Sequence, residues 1–333
     1  MVKKISVTVA GGGSWGTALA HLLALSGHTT HLWLRNTSLA HEINLCHENR
    51  RYFPGVALAE TLRATSDPKV LGTEYLISAI PCQQFRPWLC EHLRFLAAHV
   101  CLVNAAKGIE RGSLALCSAI FQELLPKTAR YAVLSGPSFA ADVLRAKPTA
   151  VVLACEDNAL GAKLRSLFAV PWFRCYGNRD VKGVELGGAL KNVMAIAAGI
   201  CDGLDLGHNS RSALVTRALA EMSRIGQALG ASQATFMGLS GLGDLVLTCT
   251  GDLSRNRQVG LGLGRGERLA AIIERLGMVA EGVATTQAVH DLVTKLSVEA
   301  PLTEAVYRIL YAESGAEEEL RGLLARRERD EED

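Results

Sequence analysis

A lysine and an aspartate lie inside stretches of this chain that are otherwise small and apolar. Lys191 stands in GGALKNVMAI at 187–196, and Asp244 stands in GLGDLVLT at 241–248. A buried charge is costly unless it is paired, so these two groups are plausible partners. A buried, paired ammonium can stabilise an oxygen that gains negative charge and then protonate it. The alternative is close helix packing, with the ammonium of Lys191 reaching water.

Further polar groups have the types that bind a small anion. Ser254-Arg255-Asn256-Arg257 supplies a hydroxyl, an amide and two guanidinium groups, and guanidinium forks match phosphate geometry. Lys107 and the SGPSFA stretch at 135–140 each follow a predicted strand, where open α/β sheets bind ligands. The alternatives are a solvated turn for the arginines, a surface lysine at 107 and a simple helix cap for SGPSFA.

A glycine-rich turn lies close to the N-terminus. Gly11-Gly12-Gly13-Ser14-Trp15-Gly16 fits G-x-G-x-x-G, directly after a strand pattern and at the start of a helix pattern. The glycines allow a tight turn and a close approach of the backbone to a pyrophosphate, which the N–H groups of the helix then face. In this context the pattern predicts dinucleotide binding.

The second predicted strand ends in Trp33-Leu34-Arg35-Asn36. NAD-selective folds usually carry an acidic residue at this point, whereas an arginine can accept a 2′-phosphate. We therefore predict that NADP is used at least as well as NAD. The alternative is that Arg35 only stacks on the adenine, which would tolerate both cofactors.

Two glycines precede Lys191 in the same predicted helix. A helical lysine side chain points back toward the N-terminus, so its stem should pass over Gly187 and Gly188. Each mid-helix glycine costs about 1 kcal/mol relative to alanine. We therefore expect a close neighbour at this helix, either a nicotinamide ring or the first sheet of the protein.

Strand and helix patterns alternate in the first half of the chain, which contains the glycine turn and Lys107. A helix is predicted at 14–26, and continuous apolar strands alternating with helices indicate a parallel sheet covered on both faces. The expected fold class is α/β, with an N-terminal Rossmann-type doubly wound parallel sheet followed by an all-helical C-terminal domain. Strands are predicted at 5–10, 29–34, 74–80, 99–105, 131–134 and 150–154.

Helical periodicity dominates from about Asp180 onward, and a domain boundary is expected at 178–182. The predicted domains are an NAD(P)-binding Rossmann domain at 1–180, a helical substrate and catalytic domain at 181–325, and a charged tail at 326–333. Helices in the second half are predicted at 180–200, 211–229, 267–276, 285–296 and 302–312.

Bulk composition excludes several functional classes. The formal net charge of +2 over 333 residues argues against nucleic acid as a partner. No uninterrupted apolar run of about 18 residues occurs, so no membrane span is expected. The nine cysteines show no CxxC pair or zinc-ligand spacing, so no metal site is predicted and a reducing cytoplasm is the expected location.

Several of these stretches together resemble the bacterial NAD(P)-dependent glycerol-3-phosphate dehydrogenase family. The resemblance covers nearly the whole chain except the charged tail, and its combined motifs are specific. They are GGGSWGTALA (11–20), NAAKG (104–108), SGPSFA (135–140), LGGALKNVMAIAAGICDGL (186–204), EMSRIGQALGA (221–231), GLGDLVLTCT (241–250), SRNR (254–257) and VAEG (279–282).

The resemblance implies reversible hydride transfer between dihydroxyacetone phosphate and sn-glycerol 3-phosphate, which supplies phospholipid synthesis, and it implies a homodimer. It also implies that Lys191 is the catalytic acid and base, and that Trp15 packs under the pyrophosphate. Substrate contacts are implied for Lys107, Gly136, Ser138, Lys191, Asp244, Ser254, Arg255 and Asn256. With the glycine-turn residues, cofactor contacts are expected at Gly11, Gly13, Ser14, Trp15, Gly16, Arg35, Lys107, Ala140, Arg255, Val279 and Glu281.

Three other interpretations remain open at this point. A β-hydroxyacid dehydrogenase also carries a helical lysine, but an asparagine follows it by four residues, whereas Ala195 stands there in this chain. A dinucleotide-sensing module without catalysis would not need Lys191, Asp244 and SRNR together. Histidine often serves as the acid in dehydrogenases, and His208, in LGHNSR, is the histidine that could cap a helix or face the cleft.

Overall fold

The structure is a computed structural model that describes residues 4–277 and 280–327. An eight-stranded sheet occupies the first half of the chain, and its strands lie in the order β3-β2-β1-β4-β5-β6-β7-β8. The strands are β1 Ser6–Ala10, β2 Thr29–Trp33, β3 Arg63–Thr65, β4 Tyr75–Ser78, β5 Cys101–Asn104, β6 Arg130–Ser135, β7 Thr149–Ala154 and β8 Phe173–Asn178.

The strand directions largely confirm the predicted parallel sheet. In the described sheet, all neighbouring strands run parallel except β6 and β7, which are antiparallel with Leu134 opposite Leu153. The strand order reverses at β1, which pairs with β2 on one side and with β4 on the other. A crevice forms at the carboxyl ends of strands where the order reverses, and this is where such sheets bind ligands.

Both faces of the sheet are buried, which explains the continuous apolar runs of its strands. Ile77 of β4 belongs to the apolar cluster on one face, together with Val9 and Leu19. The preceding residue, Leu76, belongs to the cluster on the other face, together with Phe85. Alternate strand residues therefore meet apolar neighbours on opposite sides, as expected for a sheet covered by helices on both faces.

Within the described residues, six α-helices accompany the sheet. They are α1 Ser14–Leu25, α2 Thr37–Cys46, α3 Cys82–His92, α4 Cys117–Leu124, α5 Ala140–Leu144 and α6 Asn158–Ser166. Helix α1 ends at Leu25 with Ser26 as its C-cap, and Gly27 follows with a φ of +88°, a left-handed conformation that glycine adopts without strain.

The second half of the described chain is helical. Its helices are α7 Val181–Gly203, α8 Gly207–Ala228, α9 Gln233–Phe236, α10 Asp244–Thr250, α11 Arg255–Gly264, α12 Leu269–Leu276, α13 Glu281–Leu296, α14 Pro301–Tyr311 and α15 Ala316–Leu324. A single π-helical turn, Leu239–Gly243, leads directly into α10.

Helix α7 is the central element of this half. Its side chains are buried on almost all sides against the surrounding helices. Asp180 caps its first turn, because the carboxylate accepts a 2.8 Å hydrogen bond from the N–H of Gly183. Among the described residues, α7 is the helix long and apolar enough to cross a membrane, but its most apolar stretch is fully buried within the protein. It therefore resembles the core helix of a globular domain.

Candidate active site

The glycine-rich turn connects β1 to α1 at the reversal point of the sheet. Gly11 has a φ of +113°, which non-glycine residues rarely adopt. A Cβ atom at Gly16 would lie 1.8 Å from the carbonyl oxygen of Gly11, so a side chain cannot fit there. A Cβ atom at Gly13 would meet no atom within 4 Å, and the space above this part of the turn is open.

The N-terminus of α1 can hold an anion. Its N-cap residue is Gly13, and within the described chain no side chain caps this helix end or places an acid in its first turn. The first N–H groups of a helix lack partners in the helix and carry partial positive charge. Ser14 and Trp15, both partly buried, are the first two helical residues. The open turn and uncapped helix end therefore fit the pyrophosphate of a dinucleotide.

Arg35 lies two residues beyond the carboxyl end of β2, next to the strand that begins the glycine turn. Its side chain is exposed. Among the described residues it forms no ion pair. An unpaired guanidinium at this end of the sheet is available for the adenosine side of a dinucleotide.

Two lysines share one buried carboxylate at the junction of the sheet and the helical half. Lys191 Nζ lies 3.1 Å from Asp244 Oδ1, and Lys107 Nζ lies 2.5 Å from Asp244 Oδ2. Lys191 is 6% exposed and Asp244 is 2% exposed. The structure thus confirms the predicted ion pair between Lys191 and Asp244, and the ammonium of Lys191 does not reach bulk water. The third member, Lys107, comes from the loop after β5.

The pKa values of this cluster follow from burial and charge. Burial lowers the pKa of Lys191 to about 8, although the neighbouring carboxylate of Asp244 raises it and the second ammonium, Lys107, lowers it again. Burial alone would raise the pKa of Asp244, but the ammonium groups of Lys107 and Lys191 outweigh it and hold this pKa below its usual value. Lys191 is therefore a far stronger acid than a solvated lysine.

Thr248 completes the cluster, and sequence reasoning missed it. Lys191 Nζ donates a 2.8 Å hydrogen bond to Thr248 Oγ1, and this hydroxyl donates to the backbone carbonyl of Asp244 at 2.6 Å. Residues four apart lie on one face of a helix, so the spacing of Asp244 and Thr248 was the available signal. The π-helical turn before α10 aims both side chains at α7; such turns often occur at functional sites.

The glycines before Lys191 allow two close contacts. A Cβ atom at Gly187 would lie 2.6 Å from the carbonyl oxygen of Ser240, in the π-helical turn. A Cβ atom at Gly188 would lie 2.8 Å from Ser135 Oγ and 3.1 Å from Cγ of Lys107. The close neighbour expected from the sequence is therefore partly the sheet, through the end of β6, and partly the π-helical turn that precedes Asp244.

The SGPSFA stretch forms the turn after β6. The carbonyl oxygen of Gly136 accepts hydrogen bonds from Lys107 Nζ at 3.3 Å and from Ser138 Oγ at 3.0 Å. Ser138 does not cap the following helix, whose N-cap is Phe139 without a side-chain hydrogen bond. The helix-cap interpretation of this stretch is therefore wrong. Ala140, the first residue of α5, is partly buried beside this turn.

The four residues of the SRNR stretch have different surroundings. Ser254 caps α11, because its hydroxyl accepts from the N–H of Arg257 at 3.2 Å. Asn256 is buried; it donates to Asn192 Oδ1 at 2.9 Å and accepts from the N–H of Gly282 at 3.0 Å.

The two arginines of this stretch separate. Arg257 pairs with Asp202 at 2.7 Å and with Asp252 at 3.0 Å, so its fork ties α11 to the end of α7. The suggestion that both guanidiniums serve an anion is therefore wrong for Arg257. Arg255 is half-buried, and its charge acts on Glu281, the first residue of α13. Burial raises the pKa of Glu281, and the charges of Arg255 and the two lysines oppose that rise.

One sequence-predicted candidate lies apart from this cluster, and another falls outside the described residues. His208 is exposed near the start of α8, where its ring contacts Arg211 at 2.8 Å, and the structure gives it no contact with Lys191 or Asp244. Val279, expected to contact the cofactor, lies outside the described residues.

Comparisons with known proteins agree with this architecture. Two family models match, described as the N-terminus and the C-terminus of NAD-dependent glycerol-3-phosphate dehydrogenase, over residues 6–161 and 180–321. A glycerol-3-phosphate dehydrogenase (NAD(P)+) of Desulfovibrio desulfuricans is 64% identical over 99% of this chain and 100% of that protein. The corresponding protein of Nitratidesulfovibrio vulgaris is 52% identical over 98% of this chain and 100% of that protein.

A solved structure is similar over the same span. The crystal structure of glycerol-3-phosphate dehydrogenase from Coxiella burnetii has a TM-score of 0.93 and 39% identity, and the match covers 97% of this chain and 99% of that chain. Similarity of this extent includes both the sheet and the helical half. The chain therefore belongs to the NAD-dependent glycerol-3-phosphate dehydrogenase family.

Proposed function

We propose that Lys191 is the acid and base of the family's reaction, the reversible NAD(P)H-dependent reduction of dihydroxyacetone phosphate to sn-glycerol 3-phosphate. The observation that carries this proposal is a buried ammonium with a lowered pKa beside the crevice of a dinucleotide fold. A ketone oxygen gains negative charge as it is reduced. An ammonium at that oxygen stabilises the charge and then transfers a proton to it.

The hydrogen-bond partners of Lys191 determine which of its N–H groups is available to the substrate. Asp244 Oδ1 and Thr248 Oγ1 each take one of its three N–H donors, which leaves the third for a substrate oxygen. Asp244 also holds Lys107, so one carboxylate sets the positions of both ammonium groups. In the reverse direction, the neutral amine of Lys191 accepts the proton of the alcohol.

The glycine turn supports the cofactor assignments. The open space above Gly13, the positive φ of Gly11 and the uncapped end of α1 are suited to a pyrophosphate, and Arg35 is suited to the 2′ position of its ribose. When bound, NAD(P)H supplies the hydride. Lys107, Ala140, Arg255, Val279 and Glu281 stay predictions as cofactor contacts.

The substrate phosphate needs positively charged and hydrogen-bonding groups near the ion cluster. Arg255 and the amide of Asn256 flank the ion cluster from α11, and we assign the phosphate to this end with Ser254, Gly136 and Ser138 around it. Holding the phosphate places the carbonyl at a fixed distance from Lys191, which lowers the entropic part of the barrier.

The assay of this function follows NADPH and NADH absorbance with dihydroxyacetone phosphate, and with dihydroxyacetone as control. We expect oxidation of the cofactor with the phosphorylated ketone and a large loss of kcat/KM without the phosphate. Binding of NADPH without oxidation would favour the sensing module. Equal rates with both ketones would contradict the phosphate assignment.

Opposite pH dependences are expected for the two directions. Lys191 has a pKa of about 8, so its ammonium is present below this pH and is lost as the pH rises through it. Ketone reduction should therefore decline above about pH 8, whereas alcohol oxidation should rise over the same interval. Initial rates in both directions across roughly pH 6–10 measure this. If both rates changed in the same direction with pH, the assignment of Lys191 would be contradicted.

Replacing Arg35 by aspartate is expected to shift cofactor preference. The NADPH/NADH ratio of kcat/KM should fall by about 10- to 100-fold, because a charged hydrogen bond contributes roughly 1.5–3 kcal/mol. Arg94→Asp is a charge-matched control, since Arg94 is also exposed and stacks on Phe95. An unchanged ratio in Arg35→Asp would refute phosphate recognition at this position.

Three broader expectations also belong to this proposal. A division near residue 180 into a cofactor-binding half and a catalytic half is supported by the end of β8 at Asn178 and the start of α7 at Val181. All nine cysteines are free thiols, in keeping with a reducing cytoplasm. The homodimer is a prediction from the family resemblance, and light scattering during gel filtration would measure it.

A further inference from the structure

Asp244 on α10 is not the last buried carboxylate near Lys191. Another, Glu185, lies on α7 itself, six residues before Lys191. Glu185 is 5% exposed, and within the described chain no cation pairs with it. Its Oε1 accepts hydrogen bonds from the N–H of Ser118 at 3.0 Å and from the hydroxyl of Tyr131 at 2.5 Å, while its Oε2 accepts from Ser118 Oγ. Burying a carboxylate with only neutral donors is costly, so its retention needs a reason.

The donors of Glu185 belong to two different elements of the sheet half. Ser118 is the second residue of α4, whose N-cap is Leu116, a residue with no side chain able to cap. The carboxylate therefore caps α4 from another helix and meets the positive end of its dipole. Tyr131 lies on β6, the strand whose far end carries Ser135 and Gly136. Glu185 thus ties α7 to α4 and β6 at once.

The hydrogen bonds of Glu185 influence the position of α7 along its axis, and this helix carries Lys191. Six residues of helix span about 9 Å, so a shift at Glu185 is carried along α7 to Lys191. Close to Lys191, α7 meets β6 again through the contact of Gly188 with Ser135. Glu185 and Gly188 are therefore two points that fix α7 against the strand leading to the proposed substrate turn.

We propose that Glu185 is a positioning residue, which holds Lys191 in register with the turn after β6 by anchoring α7 to Tyr131 and Ser118. The inference rests on the proposed role of Lys191. It assigns Glu185 no contact with substrate or cofactor. A displacement of about 1 Å in a reacting group can lower a rate by roughly 10²-fold, so a loosened anchor should reduce kcat more than it weakens binding.

The titratable groups around Glu185 are few. Tyr131 faces it from β6, and Cys117 faces it from α4. The pKa of Tyr131 is raised mainly by burial, and the pKa of Cys117 is raised mainly by its hydrogen bond with the thiol of Cys82, so neither group is charged near neutral pH. Burial raises the pKa of Glu185 itself to about 7, against the opposing effect of its donors. The hydrogen bonds from Ser118 and Tyr131 therefore offset only part of the cost of burying this carboxylate.

Glu221 offers a matched control. It is 2% exposed on α8 and accepts hydrogen bonds from the N–H groups of Leu302 and Thr303 and from the hydroxyl of Thr303, at 2.7–2.9 Å. It therefore caps α14 as Glu185 caps α4, but it does so entirely within the helical half. Both carboxylates should contribute similarly to stability, and only Glu185 joins α7 to the sheet.

The test compares Glu185→Gln, Glu221→Gln and Lys191→Met by thermal unfolding and by steady-state kinetics, well below the unfolding temperature. Both glutamine variants should lower Tm. Glu185→Gln should lower kcat by about 10- to 100-fold, with the KM for ketone and the Kd for NADPH changed less than about threefold. Glu221→Gln should keep wild-type kcat.

The outcomes separate the two proposals. If Lys191→Met is inactive while both glutamine variants keep wild-type kcat, the role of Glu185 is refuted and that of Lys191 stands. If Lys191→Met keeps near-normal turnover, both roles fall. Should Glu185→Gln not fold, Tyr131→Phe removes one donor with less damage, and its kcat should fall by about three- to tenfold with KM unchanged. Wild-type kcat in Tyr131→Phe would then overturn the inference.

Discussion

Replacing Lys191 by methionine is expected to lower kcat for ketone reduction by about 10²- to 10⁴-fold. Methionine keeps the length and apolar stem of the side chain but removes the proton donor. The protein should still fold, because Asp244 keeps its ion pair with Lys107 when the ammonium of Lys191 is removed. Loss of NADPH absorbance with saturating dihydroxyacetone phosphate measures the effect, and fluorescence titration should show unchanged NADPH binding.

The control for this variant is Lys295→Met, at an exposed lysine in the last turn of α13. It should keep wild-type kcat. The assignment of Lys191 would be wrong if Lys191→Met kept near-normal turnover, and His208→Ala would then be examined for the loss that the lysine failed to show.

Replacing Asp244 by asparagine is expected to harm both stability and catalysis. The substitution leaves Lys107 and Lys191 close together without their shared counter-ion, and removal of one partner of a buried ion pair costs about 3–5 kcal/mol. Since Asp244 raises the pKa of Lys191, its loss should move that pKa below about 8. The decline in ketone reduction should therefore begin at lower pH. Urea unfolding and the pH profile of kcat measure the two effects.

Asp202→Asn is the control that separates the loss of stability from the shift of the pH profile. Asp202 pairs with Arg257 at 2.7 Å and with Arg211 at 3.0 Å, away from the lysines. This variant should also lose stability, but its pH profile should match that of the wild type. An Asp244→Asn enzyme with wild-type stability and an unshifted profile would show that the carboxylate does not govern the lysines.

The sequence predicted the parts of the fold that depend on apolar patterning. Strands such as β1 and β4 are buried on both faces, and their continuous apolar runs marked them clearly. Strand β8 escaped prediction because it lies at the edge of the sheet, where only Phe173 is buried. The antiparallel direction of β7 could not be read either, since the alternation of buried residues is the same for both directions.

The sequence predicted those active-site contacts in which a charged residue in an apolar run needs an oppositely charged partner. A carboxylate at Asp244 in an apolar run required a cation, and this requirement led to Lys191. The ion pair between Lys107 and Asp244 depends on how α10 packs against the loop after β5, and no local sequence pattern encodes this packing. Arg257 was misjudged for a related reason: its partner, Asp202, lies 55 residues earlier in the chain.

Single-turnover hydride transfer shows whether the proton for the ketone oxygen comes from Lys191. The rate of NADPH oxidation by excess enzyme is measured against pH in the wild type and in Lys191→Met. We expect a wild-type rate that falls above about pH 8 and a slow, pH-independent rate in the variant. If the rate in Lys191→Met fell over the same pH range, Lys191 would not be the proton donor, because the titrating acid would then be another group.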